Sequence, residues 1–215
     1  MPEEYQATTL VLIRHGQARA SDGSYDENTP LTELGHRQAA QLADALASGT
    51  RPVVVYSSPY PRALETATPL CQRLAVRPSV DPRLAEFQLG TGSFESIQQR
   101  LDLMVWHPEH QGVENGETLG EFSARVANFC NEVVERHPGE DIAVFAHSGT
   151  IDAAIRWALG FSSDSLWQHE FPLATASITE IQFWPHGRIR DGAPHYSVMQ
   201  RIGDDTHLGG LYSEI

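Results

Sequence analysis

A histidine flanked by an arginine and a glycine follows an apolar run near the start of the chain. The run is Thr9-Leu10-Val11-Leu12-Ile13, and Arg14, His15 and Gly16 come directly after it. Imidazole can take a phosphoryl group onto nitrogen, a guanidinium can neutralise its oxygens, and a glycine lets the backbone come close. Open α/β sheets bind ligands at the carboxyl ends of their strands, so this position favours phosphoryl transfer through His15. A hydrogen-bonded packing histidine is the alternative.

A second apolar run also ends in a histidine. Residues 141–146 are followed by His147 and then by Ser148-Gly149-Thr150, where a helical pattern begins. The two histidines therefore occupy equivalent ends of two predicted strands. A satisfied core histidine is the alternative for His147. The amides that open the helix could bind phosphate, whereas Ser148 could equally serve only as an N-cap.

The hydrophobic pattern alternates between strands and helices, which predicts a parallel sheet with right-handed crossovers. Strands are predicted near residues 8–14, 52–57, 141–146, 173–184 and 195–202, and helices near residues 32–48, 60–75, 118–137 and 148–160. Thr118 and Glu121 form a capping-box pair at the start of the third helix. The expected fold class is α/β, a three-layer α/β/α sandwich with a mostly parallel central sheet.

The middle of the chain, residues 77–117, is interrupted by prolines and glycines. We interpret it as an insertion over the carboxyl edge of the sheet, where substrate loops belong, with a helix near residues 97–106. No linker or repeat divides the rest, so residues 1–215 are predicted to form a single domain.

Composition limits the partners. The 215 residues carry a formal net charge of −13, which argues against nucleic acid or an anionic membrane surface as a partner. No run approaches the ~20 apolar residues that span a bilayer, and the N-terminus lacks the pattern of a secretory signal. Cys71 and Cys130 fit buried reduced thiols. These features predict a cytoplasmic protein.

Four motifs together resemble the histidine phosphatase superfamily, which is also called phosphoglycerate-mutase-like. They are Leu-Ile-Arg-His-Gly-Gln at residues 12–17, Leu-Thr-Glu-Leu-Gly-His-Arg-Gln-Ala at 31–39, Ser-Ser-Pro-Tyr-Pro-Arg-Ala-Leu-Glu-Thr-Ala at 57–67 and Ala-His-Ser-Gly-Thr-Ile at 146–151. Their order and spacing are similar to that family across nearly the whole chain. Residues 116–118 and 205–208 add similarities of lower specificity.

The resemblance implies a role for each matching residue. His15 would be the nucleophile that becomes phosphorylated, with Arg14, Arg62 and His147 around the phosphoryl oxygens. Such a set of cations and donors suits the charge of a phosphoryl group in flight. Glu86 resembles the family's general acid in its sequence context.

Other residues are candidates with less specific signals. Glu95 is the rival to Glu86 as general acid. Gln17, Ser148 and Ser21 are candidate substrate contacts.

This chain departs from the sequence pattern of the phosphoglycerate mutase branch of that superfamily, and the departures favour a phosphatase. That branch has a Ser where this chain has Ala18, and an Asn where, without a gap, it has Ser21. Arg19 could contact a second acidic group of the substrate or could simply be solvated.

No metal site and no organic cofactor are predicted. There is no HExxH or CxxC motif, and Arg14 would repel a cation beside His15.

The predicted function is metal-independent hydrolysis of a small phosphorylated metabolite through a phosphohistidine intermediate. A phosphoglycerate mutase-type phosphomutase is the first alternative, and a catalytically silent phosphate-binding or partner-binding module is the second. The natural substrate stays open. So does the oligomeric state, because Trp106, Trp157 and Trp167 could belong to the core or to a homodimer interface.

Overall fold

The computed structural model describes residues 6–19, 26–49, 52–90, 116–161, 171–184 and 196–211. Ten helices and strands are found in these ranges. They are β1 (Thr8–Arg14), α1 (Glu33–Ser48), β2 (Val54–Ser57), α2 (Pro61–Leu74), β3 (Ser79–Val80), α3 (Leu119–Arg136), β4 (Asp141–Ala146), α4 (Ser148–Leu159), β5 (Ile178–Trp184) and β6 (Tyr196–Asp204). Short 3-10 turns cover Pro82–Leu84 and Thr206–Leu208.

One sheet contains all six of these strands, in the order β3-β2-β4-β1-β5-β6. The first four run parallel, whereas β5 and β6 are antiparallel to their neighbours. The predicted mostly parallel central sheet is confirmed, with an antiparallel edge. β1 and β4 are central, and their side chains are almost entirely buried because both faces of the sheet are covered.

Helices cover the two faces of the sheet, as the predicted three layers require. Successive residues of a strand point to opposite faces, so Leu10 and Leu12 of β1 pack with α3 and α4, whereas Val11 and Ile13 pack with α1 and α2. Phe129 and Leu42 are fully or almost fully buried in these two layers. The sandwich is thus built from two separate apolar cores on one sheet.

Local signals in the sequence set the helix boundaries. Thr32 caps α1 by accepting a hydrogen bond from the amide of Gly35. The predicted capping box of Thr118 and Glu121 is present at the start of α3. Gly160 ends α4 with a positive φ of 71°, the left-handed conformation that glycine adopts without strain.

Two predicted strand starts were wrong. β2 begins at Val54 instead of residue 52, and β5 begins at Ile178 instead of residue 173. Residues 173–177 instead form a turn in which Ala176 has a φ of 58°, and the Ala176 amide donates to the carbonyl of His15. This turn therefore supports the histidine loop instead of extending the strand.

Several predictions involve residues outside the described ranges. The helix near residues 97–106 and most of the insertion at 77–117 are among them, and the single domain over 1–215 stays a prediction. Cys71 and Cys130 are buried free thiols, as predicted. None of the described helices is both long enough and apolar enough to cross a membrane.

Candidate active site

The register of the two central strands brings the two histidines together. β1 and β4 are paired in parallel with Arg14 beside Ala146, so His15 and His147 leave the sheet at the same edge on neighbouring strands. Their ring centroids are 5.2 Å apart with the planes at 62°. Only 3% of His15 and none of His147 is exposed. The pair is therefore a buried edge-to-face contact at the carboxyl ends of the strands.

The hydrogen bond of His15 fixes which ring nitrogen carries a proton. Nδ1 lies 2.7 Å from the carbonyl oxygen of Gly16, which can only accept, so Nδ1 is the donor. Burial is the largest of the causes that lower the pKa of His15 to about 3; the charges of Arg62 and Arg14 also lower it, against the hydrogen bond to Gly16, which raises it. A neutral ring with its proton on Nδ1 has a lone pair on Nε2. His15 is thus in the protonation state that a nucleophile needs.

His147 is the N-cap residue of α4, and its ring is oriented by Ser58. Its Nε2 lies 2.8 Å from the hydroxyl oxygen of Ser58, which also accepts from the amide of Tyr60. Burial lowers the pKa of His147 to about 2, with further contributions from His15 and the site arginines. If the Ser58 hydroxyl donates to Nε2, the proton of the neutral ring is on Nδ1. Within the described residues, Nδ1 has no hydrogen-bond partner.

Two arginines reach the histidine pair from different elements. Arg14 ends β1 and donates to the carbonyl of Leu173. Arg62 lies in the first turn of α2, is only 2% exposed, and donates to the carbonyl of Asp26 at 2.6 Å. Its guanidinium also lies 4.9 Å from the centre of the Tyr60 ring. Both positive charges act on the pKa of each histidine, which places them in one electrostatic unit.

The loop after β1 is held by close backbone contacts. A Cβ added to Gly35 would lie 2.1 Å from the carbonyl oxygen of Gln17, and one added to Gly16 would lie 2.7 Å from that of Gly35. The amide of Gly16 donates to the hydroxyl of Thr66, and the amide of Gln17 donates to the buried side chain of Gln38. These contacts fix the backbone on both sides of His15 and leave no room for a side chain.

The carboxyl group of Glu86 is hydrogen-bonded to the first turn of α4, at Gly149, which comes two residues after His147. Its Oε2 accepts from the amide of Gly149 at 3.1 Å, and its Oε1 accepts from the amide of Phe87 at 2.9 Å. Burial raises the pKa of Glu86, against the opposing effects of these two amides and of the site arginines. The carboxyl group is therefore biased towards its protonated form at the first turn of the helix that His147 caps.

The structure describes some of the remaining predicted site residues but not others. The side-chain oxygen of Gln17 accepts from the hydroxyl of Thr32 at 2.6 Å. Ser148 is the first residue of α4 and not its N-cap, which corrects that alternative, because His147 occupies the cap position. The structure does not describe Ser21 or Glu95. In the part of the chain that it does describe, no three histidine, cysteine, aspartate or glutamate side chains converge as a metal would require.

No role was predicted for Ser58, and Gly149 was predicted only as one of the helix-opening amides that could bind phosphate, although both residues lie inside the quoted motifs. Ser58 comes directly after the second predicted strand and could have been noticed as a hydroxyl at the same sheet edge as the histidines. A Cβ on Gly149 would lie 2.4 Å from Glu86 Oε1, a close approach that only the tertiary structure reveals.

The site combines a neutral imidazole nucleophile, a second imidazole and two guanidinium groups, of which that of Arg62 is buried. This set of groups at the carboxyl edge of an α/β sheet defines a class of protein. These groups define an enzyme of phosphoryl transfer, because the reacting group is an anion and the nitrogen lone pair can receive it.

Comparison with known proteins gives the family. The family model of the histidine phosphatase superfamily, branch 1, matches residues 10–190. The chain is 30% identical to the 5''-phosphoribostamycin phosphatase of Niallia circulans, over 82% of this chain and 90% of that protein. It is 27% identical to a protein of Cronobacter sakazakii named "Probable phosphoglycerate mutase", over 93% of this chain and 94% of that protein.

A solved structure agrees with these sequence matches. The structure of a mycobacterial glucosyl-3-phosphoglycerate phosphatase in complex with VO3 superposes with a TM-score of 0.72 and 25% identity, covering 90% of this chain and 97% of that one. The chain belongs to the histidine phosphatase superfamily. The sequence-based prediction of a phosphomonoester hydrolase of this superfamily is confirmed by the family model and the phosphatase relatives.

Proposed function

We propose that this protein hydrolyses a small phosphomonoester in two steps, without a metal, through a phosphate group carried on His15. The observation that supports this most strongly is the protonation state of His15. Its Nδ1 donates to Gly16 and its pKa is lowered to about 3. Nε2 therefore carries no proton at neutral pH, whereas an exposed imidazole titrates near pH 6.5.

In the first step, Nε2 of His15 attacks phosphorus and the ester P–O bond breaks. The leaving alkoxide takes the proton of Glu86, which is expected to be protonated because burial raises its pKa. In the second step, water attacks the phosphohistidine, the carboxylate of Glu86 takes a proton from that water, and the N–P bond breaks. Free phosphate and the starting protonation states result.

Arg14, Arg62 and His147 are assigned to the phosphoryl oxygens. The two guanidinium groups neutralise charge on these oxygens, and His147 donates through Nδ1 if Ser58 holds its Nε2. The amide of Gly149 is used by Glu86, so it is not counted among the phosphate donors. Gln17, Ser148 and Ser21 stay candidate substrate contacts.

One experiment tests the covalent step. The protein is mixed with a phosphomonoester in the presence of a chelator, quenched in alkali, and digested for mass spectrometry of the peptide that carries residue 15. We expect an alkali-stable, acid-labile phosphate on His15, and a loss of turnover of at least about 10³-fold in His15→Ala. Turnover that survives in His15→Ala, or that stops with the chelator, contradicts the proposal.

A mutase differs only in the acceptor of the phosphoryl group, and the relative from Cronobacter sakazakii keeps this alternative open. Ala18 lacks the hydroxyl that the mutase branch carries there, which favours water as the acceptor. A product assay with a phosphoglycerate separates released phosphate from an isomerised acid. The silent module is the outcome if no phosphomonoester of a broad panel is turned over. The cytoplasmic location and the homodimer are kept as predictions.

A further inference from the structure

Arg125 on α3 binds the chain segment that carries Glu86. A guanidinium has five N–H donors, and five hydrogen bonds are formed here. Two reach the carboxylate of Glu117, from Nε to Oε2 at 2.8 Å and from Nη2 to Oε1 at 2.5 Å. The other three reach backbone carbonyl oxygens of residues 83–86, namely Arg83 at 2.7 Å, Ala85 at 2.8 Å and Glu86 at 3.1 Å.

Glu117 holds the same segment on the other side of Glu86. Its amide donates to the carbonyl of Gln88 at 3.0 Å, and its Oε1 accepts from the amide of Gln88 at 2.9 Å. Glu117 is itself fixed because the next residue, Thr118, is the N-cap of α3. The backbone on both sides of Glu86 is thus bound to the start of one helix.

The geometry of this contact requires a guanidinium. The side chains of Arg125 and Glu117 are only 20% and 13% exposed, and the guanidinium lies 4.7 Å from the centre of the Phe122 ring. A lysine has a single ammonium with three donors, so it cannot span a carboxylate and three carbonyl oxygens in one plane. Arg125 therefore sets the backbone position of Glu86 without contacting the histidine pair through any of these bonds.

We propose that Arg125 is a positioning residue for proton transfer, holding the Glu86 carboxyl group where it reaches the leaving-group oxygen. This inference rests on the proposed function, in which Glu86 is the general acid. An acid displaced by about 1 Å loses much of its effect on a substrate whose leaving group needs a proton. A substrate whose leaving group departs as a stable anion does not depend on it.

The test compares Arg125→Lys with the parent protein on two phosphomonoesters. One is 4-nitrophenyl phosphate, whose phenolate leaves without a proton, and the other is glycerol phosphate, whose alkoxide needs one. The parameter is kcat/KM, because it reports the steps up to release of the leaving group. We expect Arg125→Lys to lower kcat/KM by about 30-fold for glycerol phosphate and by less than about 3-fold for 4-nitrophenyl phosphate.

Two further variants make the result specific. Glu86→Gln defines the pattern of a lost general acid, and Arg125→Lys is expected to follow it in weaker form. Arg83→Lys is the matched control, since Arg83 lies in the same segment but binds Asp81 and Glu132 with its side chain. We expect this control to leave the ratio of the two substrates unchanged.

The outcomes separate the inference from the proposed function. An equal loss on both substrates in Arg125→Lys, or no loss on either, overturns the positioning role while Glu86→Gln keeps its pattern. If Glu86→Gln shows no dependence on the leaving group, the assignment of Glu86 as acid fails and the inference fails with it.

If the parent protein turns over neither of these two substrates, the contact of Arg125 with the segment that carries Glu86 is tested without turnover. The pKa of Glu86, followed by carboxyl ¹³C NMR with Glu86→Gln as the assignment control, is expected to fall towards its ordinary value in Arg125→Lys. An unchanged pKa overturns the inference.

Discussion

Acidification should destabilise this protein through its two buried histidines. Both are neutral in the folded state because burial lowers their pKa values, to about 3 for His15 and about 2 for His147. In the unfolded chain an imidazole titrates near pH 6.5. Between these values the unfolded state binds protons that the folded state does not. Stability from this source is therefore complete above about pH 6.5 and is lost as the pH falls towards the folded pKa values.

The size of the effect follows from the distance between the two pKa values. One pH unit corresponds to about 1.4 kcal/mol per group, and about two units separate pH 6.5 from pH 4.5, so each histidine should cost about 2.7 kcal/mol at about pH 4.5. For the pair the cost is about 5 kcal/mol, which equals the lower end of the total stability of a domain. Glu86 acts in the opposite direction, because its raised pKa favours proton uptake in the folded state.

Urea unfolding followed by tryptophan fluorescence, at several pH values between about 7.5 and 4.5, measures this free energy. His15→Asn and His147→Gln keep a donor or acceptor near the original nitrogen but cannot titrate. The difference between the parent and each variant should change by about 2.7 kcal/mol over this range, and contributions common to both proteins cancel. Replacement of the exposed His36 is the control for the loss of a histidine outside the site. Parallel profiles for the parent and His15→Asn would refute the account of a buried neutral nucleophile.

Three substitutions test the close contacts of the site. Gly149→Ala places a Cβ 2.4 Å from Glu86 Oε1. The turnover of alkyl phosphates should therefore fall by about 10- to 100-fold, while circular dichroism shows an intact fold. Unchanged kinetics would contradict this prediction. Ser58→Ala removes the partner of His147 Nε2, so the ¹⁵N shifts of that ring should report a changed tautomer, and kcat should fall by about 10-fold. Gly35→Ala meets backbone at 2.1 Å and should lower the free energy of unfolding by about 2–4 kcal/mol, measured in urea.

The sequence was sufficient for the longer helices and strands, but not for the two-residue strand β3 or for the order of the strands in the sheet. Hydrophobic runs and capping residues predicted β1, α3 and β4 within one residue of their observed bounds. That β1 and β4 are neighbours depends on strand pairing across more than 120 residues, which no local pattern encodes. The turn at Ala176 was missed for a related reason, since an apolar segment with a left-handed residue reads as strand until its contact with His15 is known.

Site residues that lie in a recognisable sequence motif were predicted from the sequence, whereas a site residue outside such a motif was missed. Arg14 ends a strand and His15 follows it, both within a motif, and Glu86 was recognised from its flanking residues. Arg125 looks like an ordinary arginine of an amphipathic helix, because its three carbonyl partners are about 40 residues away along the chain. A side chain whose role consists of binding another segment's backbone is identified only after the two segments have been placed together.

A single physical cause accounts for the protonation states that the proposed reaction needs. Removing a charged group from water disfavours its charged form, which lowers the pKa of a histidine and raises that of a carboxylic acid. Burial is the largest cause of the shift for His15 and for Glu86, and it acts on them in opposite directions. The arginines favour a neutral His15 but oppose a protonated Glu86, so burial must outweigh them at the acid. The same low-dielectric pocket thus keeps a base unprotonated and an acid protonated at one pH, which two exposed groups of these types could not achieve together.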